Sequence, residues 1–270
     1  MIQELREKLE ALKCDCESFK YISIMWGYAL DVEESGGLGI VCDENLNALP
    51  YMPVEAELIG INLVAGSRVL DVGCLGGYGL FDFTMRRKKA GCPVPRMAGI
   101  DVDACSVAVS CGMAGIWGHG LDVSFCEGKS ENIPFKSGEF DIVMARGLLP
   151  YVRMESTLSE IARVLKPSGA AVIQIHSFGY YWYRFFGVFG KPMAMLYYLR
   201  PLISGIWMCC TGRQPRNRLL SETALTSRML VRLCGKYGLA LVWKSDFKRK
   251  PLMIFRKTVE EGFARPSGAD

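Results

Sequence analysis

The sequence predicts an α/β fold built on a doubly wound, mostly parallel sheet, and three observations carry that prediction. A short apolar run, Val69-Leu70-Asp71-Val72, ends at a glycine-dense turn holding Gly73, Gly76, Gly77 and Gly79, and a helical stretch follows. A second apolar run, Met97 to Asp101, again ends in an acid. Later apolar runs alternate with helical stretches, the order produced by parallel strands joined through crossover helices.

The first of these reads as strand, nucleotide loop and helix. Glycines let backbone N–H groups approach a ligand closely, and the helix points its positive end at the same spot. Asp71, before the first glycine, adds an acceptor that can address a cationic amine. A nicotinamide fingerprint needs glycines spaced G-x-G-x-x-G. Two residues after Gly73 stands Leu75, and no other glycine here supplies that spacing. A dehydrogenase is therefore disfavoured.

With 270 residues, half of them hydrophobic, the chain can bury a sizeable core. The net charge of +4 is modest, and the basic clusters Arg86-Arg87-Lys88-Lys89 and Lys248-Arg249-Lys250 are short. They fit solvated loops better than a nucleic-acid footprint, so no nucleic-acid partner is expected. There are 11 cysteines but no C-x-x-C pair, and only 2 histidines. Cys14-x-Cys16 and the vicinal Cys209-Cys210 lack zinc-site spacing, so no metal site is expected and the thiols read as reduced. Met1 to Glu10 is charged and lacks the apolar core of a signal peptide, which points to a cytoplasmic protein.

Residues 1–53 read as an N-terminal helical cap. Leu5, Leu9 and Leu12 stand at helical spacing, and an irregular stretch from Cys14 to Pro53 follows. Within it, Met25-Trp26-Gly27-Tyr28 either packs in the core or helps close a cleft. Residues 54–176 read as the core. A helix from Val54 to Leu63 precedes the first strand, and a helix from Leu80 to Lys89 ends at Gly91 and Pro93. The second strand leads to a small-residue helix, Ala104 to Gly115, and a third strand, Val123 to Gly128. A fourth strand, Phe140 to Ala145, a helix around Ser156 to Val164 and a fifth strand, Ala171 to Ile175, complete it. Pro167 and Gly169 suit the turn before that strand, one fixing φ and the other permitting positive φ. Residues 177–220 form an aromatic insert after the fifth strand. In residues 221–258, Ser221 to Leu225 opens a helix ended by Gly238, and strands from Leu239 to Trp243 and Leu252 to Arg256 follow. Residues 259–270 read as a frayed tail.

Four segments stand in order between Val69 and His176. Asp71, Gly73 and Gly77 match acid-x-G-x-G-x-G, with Leu75 at the middle glycine. Gly128-Lys129-Ser130-Glu131-Asn132-Ile133-Pro134-Phe135 is similar to G-D-A-E-x-L-P-F, Phe140-Asp141-Ile142-Val143 to F-D-x-V, and Leu165-Lys166-Pro167-Ser168-Gly169 to L-K-P-G-G. The ordered set resembles the class I S-adenosylmethionine-dependent methyltransferases, in the branch of the ubiquinone and menaquinone C-methyltransferases and many natural-product enzymes. It covers roughly the central half of the chain.

The resemblance implies a seven-stranded sheet finished by an antiparallel hairpin, with S-adenosylmethionine as cofactor. It implies a cofactor site of Asp71, Gly73, Cys74, Gly77, Asp101, Val102, Lys129, Ser130, Glu131 and Ala145. Asp101, in the crevice outside the strand ends, would accept both ribose hydroxyls. Lys129 stands where the family's acid meets the adenine amine, and lysine only donates. Glu131 or the Ser130 backbone N–H then takes that place.

Arg184, Lys191 and Arg200 interrupt the insert, and Pro192 and Pro201 break it again, so it is not expected to span a membrane. It reads as core, as a lid over a lipophilic acceptor, or as a peripheral membrane contact through residues 178–218. Methyl transfer from a sulfonium mainly needs orientation and exclusion of water. His176, just past the fifth strand, reads either as the candidate catalytic base with a pKa near working pH or as a packed or capping histidine. Tyr180, and Tyr181 beside it, would position the acceptor. His119, between Gly118 and Gly120, reads as surface on the far side of the sheet. Together these features imply a methyltransferase acting on a small lipophilic acceptor. The alternative, motivated by Lys129 and Leu75, is a catalytically inactive methyltransferase-like binding or scaffold subunit.

Overall fold

Val69, Ile142, Met144 and Val172 pack into one apolar cluster, while their chain neighbours Leu70, Val143, Ala145 and Ile173 pack into another. Successive side chains of a strand point to opposite faces, so this sheet is covered on both sides. The computed structural model describes residues 1–14, 16–34, 63–215, 222–245 and 247–258.

The strands are β1 (Arg68–Val72), β2 (Arg96–Asp101), β3 (Val123–Glu127), β4 (Phe140–Arg146), β5 (Leu165–Gln174), β6 (Leu239–Lys244) and β7 (Leu252–Lys257). They form one 7-stranded sheet in the order β3-β2-β1-β4-β5-β7-β6. Pairing is parallel from β3 through β5, and β7 runs antiparallel to both β5 and β6. The seven-stranded, doubly wound expectation holds. Its order reverses between β1 and β4, where a crevice opens beyond the strand ends.

One face is covered by α1 (Ile2–Ala11), α2 (Glu17–Glu34), α3 (Tyr78–Lys89) and α4 (Ala104–Trp117). The other is covered by α5 (Met154–Val164) and α8 (Ser227–Gly235). Between β5 and α8 lie α6 (Phe178–Gly187) and α7 (Pro192–Thr211), packed on each other around buried Tyr181, Leu202 and Ala224.

The structure departs from expectation at four places. The stretch read as irregular after Cys14 contains α2, whose buried Phe19, Ile22, Trp26 and Leu30 recur at helical spacing. The C-terminal helix starts at Thr226, which accepts from the Met229 N–H, rather than at Ser221 to Leu225. The turn expected before the fifth strand is an irregularity within β5, where Ser168 takes the positive φ of 62° and Gly169 is needed instead for closeness. A Cβ on Gly169 would lie 3.0 Å from the carbonyl oxygens of Asp141 and Lys166.

Lastly, Pro201 does not break its helix. It is buried inside α7, and its carbonyl accepts from the Ala224 N–H at 3.0 Å. By length and composition alone the 20-residue α7 is apolar enough to cross a membrane, and it buries Leu202, Ser204, Gly205 and Met208 against the rest of the chain. The expected helix from Val54 to Leu63, all but its last residue, and the tail 259–270 lie outside the described residues.

Candidate functional site

β1 ends at Val72, and Gly73 turns with φ 74° so that its N–H and that of Cys74 both bond the Ile100 carbonyl, at 2.8 and 3.0 Å. The chain thereby folds over the end of β2. Gly76 and Gly77 follow with φ 79° and 78°, a region costly for residues with a Cβ. Leu75, the departure from the family pattern, has φ 39° and donates its N–H to Oδ2 of Asp101 at 3.0 Å. It keeps the turn open where a glycine was expected. From above, Trp26 of α2 donates its indole N–H to the Gly76 carbonyl at 2.8 Å.

The turn borders a cleft of about 680 Å³, within the usual size of small-molecule sites. Asp101 stands on its wall, with Oδ1 accepting from the Asp103 N–H at 3.0 Å and Oδ2 held by Leu75. A carboxylate has about four acceptor sites, so two fixed bonds orient the group and leave lone pairs for a ligand. Exposed Val102 lies beside it, and Gly128, whose N–H donates to the Asp101 carbonyl at 2.9 Å, lines the cleft with Lys129, Ser130 and Glu131. The Ser130 hydroxyl donates to Glu131 Oε2 at 3.2 Å and pairs with the Thr157 hydroxyl at 2.9 Å, and Glu131 Oε1 accepts from the Arg153 N–H at 3.2 Å. Glu131 is the carboxylate offered there.

Asp71 does not face the cleft. It is 2% exposed, and its Oδ2 lies 3.0 Å from Nη2 of Arg146, which does line the cleft. Burial pushes the Asp71 carboxyl up, and Arg146 pulls it back down. Gly79 makes the pair possible, because a Cβ there would collide with the Arg146 guanidinium. The expectation that Asp71 addresses an amine directly is thus corrected: the chain turns a guanidinium toward the cleft, backed by that acid.

At the other end, beyond Gly147 and Leu148, half-exposed Tyr151 lines the cleft and hydrogen-bonds to Glu222. The Tyr181 hydroxyl donates to Oε1 of the same carboxylate at 2.6 Å. Burial raises Glu222, opposed by these two hydrogen bonds. His176 lies behind Tyr151, edge-on at 6.2 Å between ring centres, and stacks on Tyr180 at 4.4 Å.

A family described as a methyltransferase domain matches residues 70–173. An uncharacterized methyltransferase of Synechocystis sp. is 30% identical over 155 residues, covering 56% of this chain and 63% of that one. The ubiquinone/menaquinone biosynthesis C-methyltransferase UbiE of Hahella chejuensis is 30% identical over 110 residues, covering 40% of this chain and 43% of that one. The chain thus spans less than two thirds of either relative. The solved structure of an S-adenosylmethionine-dependent methyltransferase from Methanosarcina mazei shares the fold, with a TM-score of 0.53 at 19% identity over 78% of this chain and all of that one. Residues 70–173 thus match a methyltransferase domain, and the fold is the Rossmann-like fold of the class I S-adenosylmethionine-dependent methyltransferases.

Among the residues this superfamily's motifs suggested, the structure brings Gly73, Asp101, Val102, Lys129, Ser130 and Glu131 to one cleft. Cys74, Gly77 and Ala145 are buried behind it. The Cys74 thiol faces the Ser110 hydroxyl at 3.7 Å, and a Cβ on Gly77 would strike the Phe125 ring. His176 and Tyr180 are not among the residues lining the cleft. Burial, with Lys250 adding to it, pushes His176 down to about 3, so it stays neutral near pH 7 and is a weak base, contrary to expectation. His119 is exposed in the turn before β3.

Arg146, Tyr151 and Glu222 were missed. Arg146 is the last residue of β4, and Tyr151 closes the Leu149–Tyr151 turn directly after it. Their position after the F-D-x-V strand was the available signal. Glu222 arrives from beyond the aromatic insert, and nothing in its neighbourhood marks it.

Proposed function

We propose that the chain is an S-adenosylmethionine-dependent methyltransferase acting on a small lipophilic acceptor. The observation that carries this is Asp101, pinned by two backbone N–H groups on the wall of the cleft beneath a bare glycine turn.

The donor set fits the family's cofactor. Asp101 would hold the ribose hydroxyls, Glu131 the adenine amine, and Arg146 the amino-acid carboxylate, which a guanidinium matches with paired donors. The Gly73 main chain lies between them. When bound, the cofactor supplies an electrophilic methyl group on a sulfonium. What the chain adds is position: Tyr151, held by Glu222, presents a hydroxyl at the acceptor end, and Leu148 and Val152 border it with apolar surface. Such orientation and exclusion of water can supply much of the rate.

Two features support a lipophilic acceptor taken at a membrane surface. UbiE, by its name, serves ubiquinone and menaquinone biosynthesis. On α6, α7 and their connection, Phe186, Phe189 and Met193 are 62, 76 and 77% exposed. Residues 178–218 also carry Arg184, Lys191, Arg200, Arg213, Arg216 and Arg218 and no acid. Exposed aromatics beside cations suit the headgroup level of an anionic, cytoplasm-facing bilayer.

The test is incubation of the purified protein with methyl-labelled cofactor and a total lipid extract. Label should enter the organic phase, and vesicles containing anionic lipid should retain the protein. Binding of cofactor without transfer to any lipid or small metabolite would overturn the proposal.

A further inference from the structure

The loop joining α1 to α2 and the first turn of α4 bring three thiols together, from positions the sequence keeps far apart. Cys14 Sγ lies 2.7 Å from Cys16 Sγ and 3.1 Å from Cys105 Sγ, the last pair separated by 91 positions. All three sulfurs lie within 4.8 Å of one another, and all three thiols are free. Chance surface cysteines do not converge in this way. Spacing along the chain spoke against a metal site because only two of the three cysteines are local.

A helix start stands beside the cluster. Cys105 is the second residue of α4, so the helix's positive end faces the cluster. Soft thiolate sets select d10 ions. Around a shared ion with metal–sulfur distances near 2.3 Å, sulfurs stand roughly 3.8 Å apart. The cluster reaches that by opening about 1 Å, and Cys14 and Cys16 both lie outside the helices and strands.

We propose that Cys14, Cys16 and Cys105 hold one thiophilic d10 cation, Zn2+ or Cu+, in a three-thiolate site that fastens the α1–α2 pair to the core. Each coordinating thiol releases its proton to solvent on binding, so uptake weakens at low pH. The fastened helices are those that clamp the glycine turn through Trp26, and α4 follows directly after Asp101. The ion would therefore steady the glycine turn and the end of β2. The inference does not depend on methyl transfer.

The test uses full-length protein stripped of metal under a thiol-free reductant, then offered Zn2+ alone or Cu+ alone and desalted. One equivalent of ion should remain, with Co2+ in place of Zn2+ giving a thiolate charge-transfer band, and thermal stability should rise. Cys14→Ser and Cys105→Ser should each weaken retention by more than the roughly 10–100-fold typical of outer-shell partners. Cys111→Ser, an exposed thiol on the same helix, should leave it unchanged. Should Cys105→Ser fail to fold, Cys14→Ser, in an exposed loop, gives the same reading. No retained ion in the reduced wild type, a Cys14–Cys16 disulfide forming in place of ion uptake, or retention undiminished in Cys14→Ser would overturn the proposal.

Discussion

Arg146 reaches back from the end of β4 to set its Nη2 3.0 Å from Oδ2 of Asp71, with only 9 and 2% of the two side chains exposed. A buried pair of this kind contributes little net stability against an apolar substitute, but breaking it strands a charge. The acid of the first motif thus serves a cation of the fourth strand, and through it the cleft.

Asp71→Asn should therefore destabilise the protein by about 3–5 kcal/mol in chemical denaturation. The paired change Asp71→Leu with Arg146→Met should restore most of that loss. Cofactor binding should stay impaired in the double variant, because the cleft has lost its guanidinium. Equal stability of wild type and Asp71→Asn would show that the pair is not formed.

Gly79→Ala places a methyl group where the Arg146 guanidinium lies. Alanine is the better helix former by about 1 kcal/mol, so propensity alone predicts stabilisation. Steric displacement predicts the opposite, with both stability and affinity for S-adenosylhomocysteine reduced. A more stable variant with unchanged affinity would contradict the described geometry.

Tyr151→Phe keeps the ring on the cleft wall and removes the hydroxyl bonded to Glu222. The expected result is a fall in methyl-transfer rate of about tenfold or more, the size of one lost polar contact, with S-adenosylhomocysteine affinity unchanged. Glu222→Gln should reproduce part of this loss. A loss of cofactor affinity instead would move Tyr151 to the other end of the cleft.

His176 contributes to the acid limb of stability. Its folded pKa of about 3 lies below the ordinary 6.5, so on acidification the unfolded chain takes up the proton first. The stabilisation is complete above pH 6.5 and is lost as pH falls toward 3, at no more than about 1.4 kcal/mol per pH unit. His176→Gln should flatten the dependence of the unfolding midpoint on pH between those limits. An unaltered slope would mean that the imidazole is not buried.

Much of this molecule was legible because its signals are local. The glycine turn, the acid ending β2 and the proline-glycine irregularity early in β5 each announce themselves within a few residues, and they recur in the order the topology needs. What stayed hidden arises from chain segments that meet only after folding. Arg146 claims Asp71 across two neighbouring strands, and Glu222 reaches Tyr151 from beyond the aromatic insert. Cys105 joins Cys14 and Cys16 through the packing of α1 on α4. The neutrality of His176 comes from burial behind Tyr151, which no pattern of neighbouring residues encodes. α2 was missed for a different reason: its aromatic, β-branched and glycine residues are weak helix formers, and burial of Trp26 and Ile22 on the glycine turn supplies what propensity lacks.

Calorimetric titration of S-adenosylhomocysteine into wild type and Asp101→Ala tests the central claim most directly. Saturable one-to-one binding is predicted for wild type, weakened roughly 100-fold in Asp101→Ala by the loss of charge-assisted hydrogen bonds, with the far-ultraviolet spectrum unchanged. Absence of heat and of any thermal shift in wild type, or equal affinity in the two proteins, would contradict it.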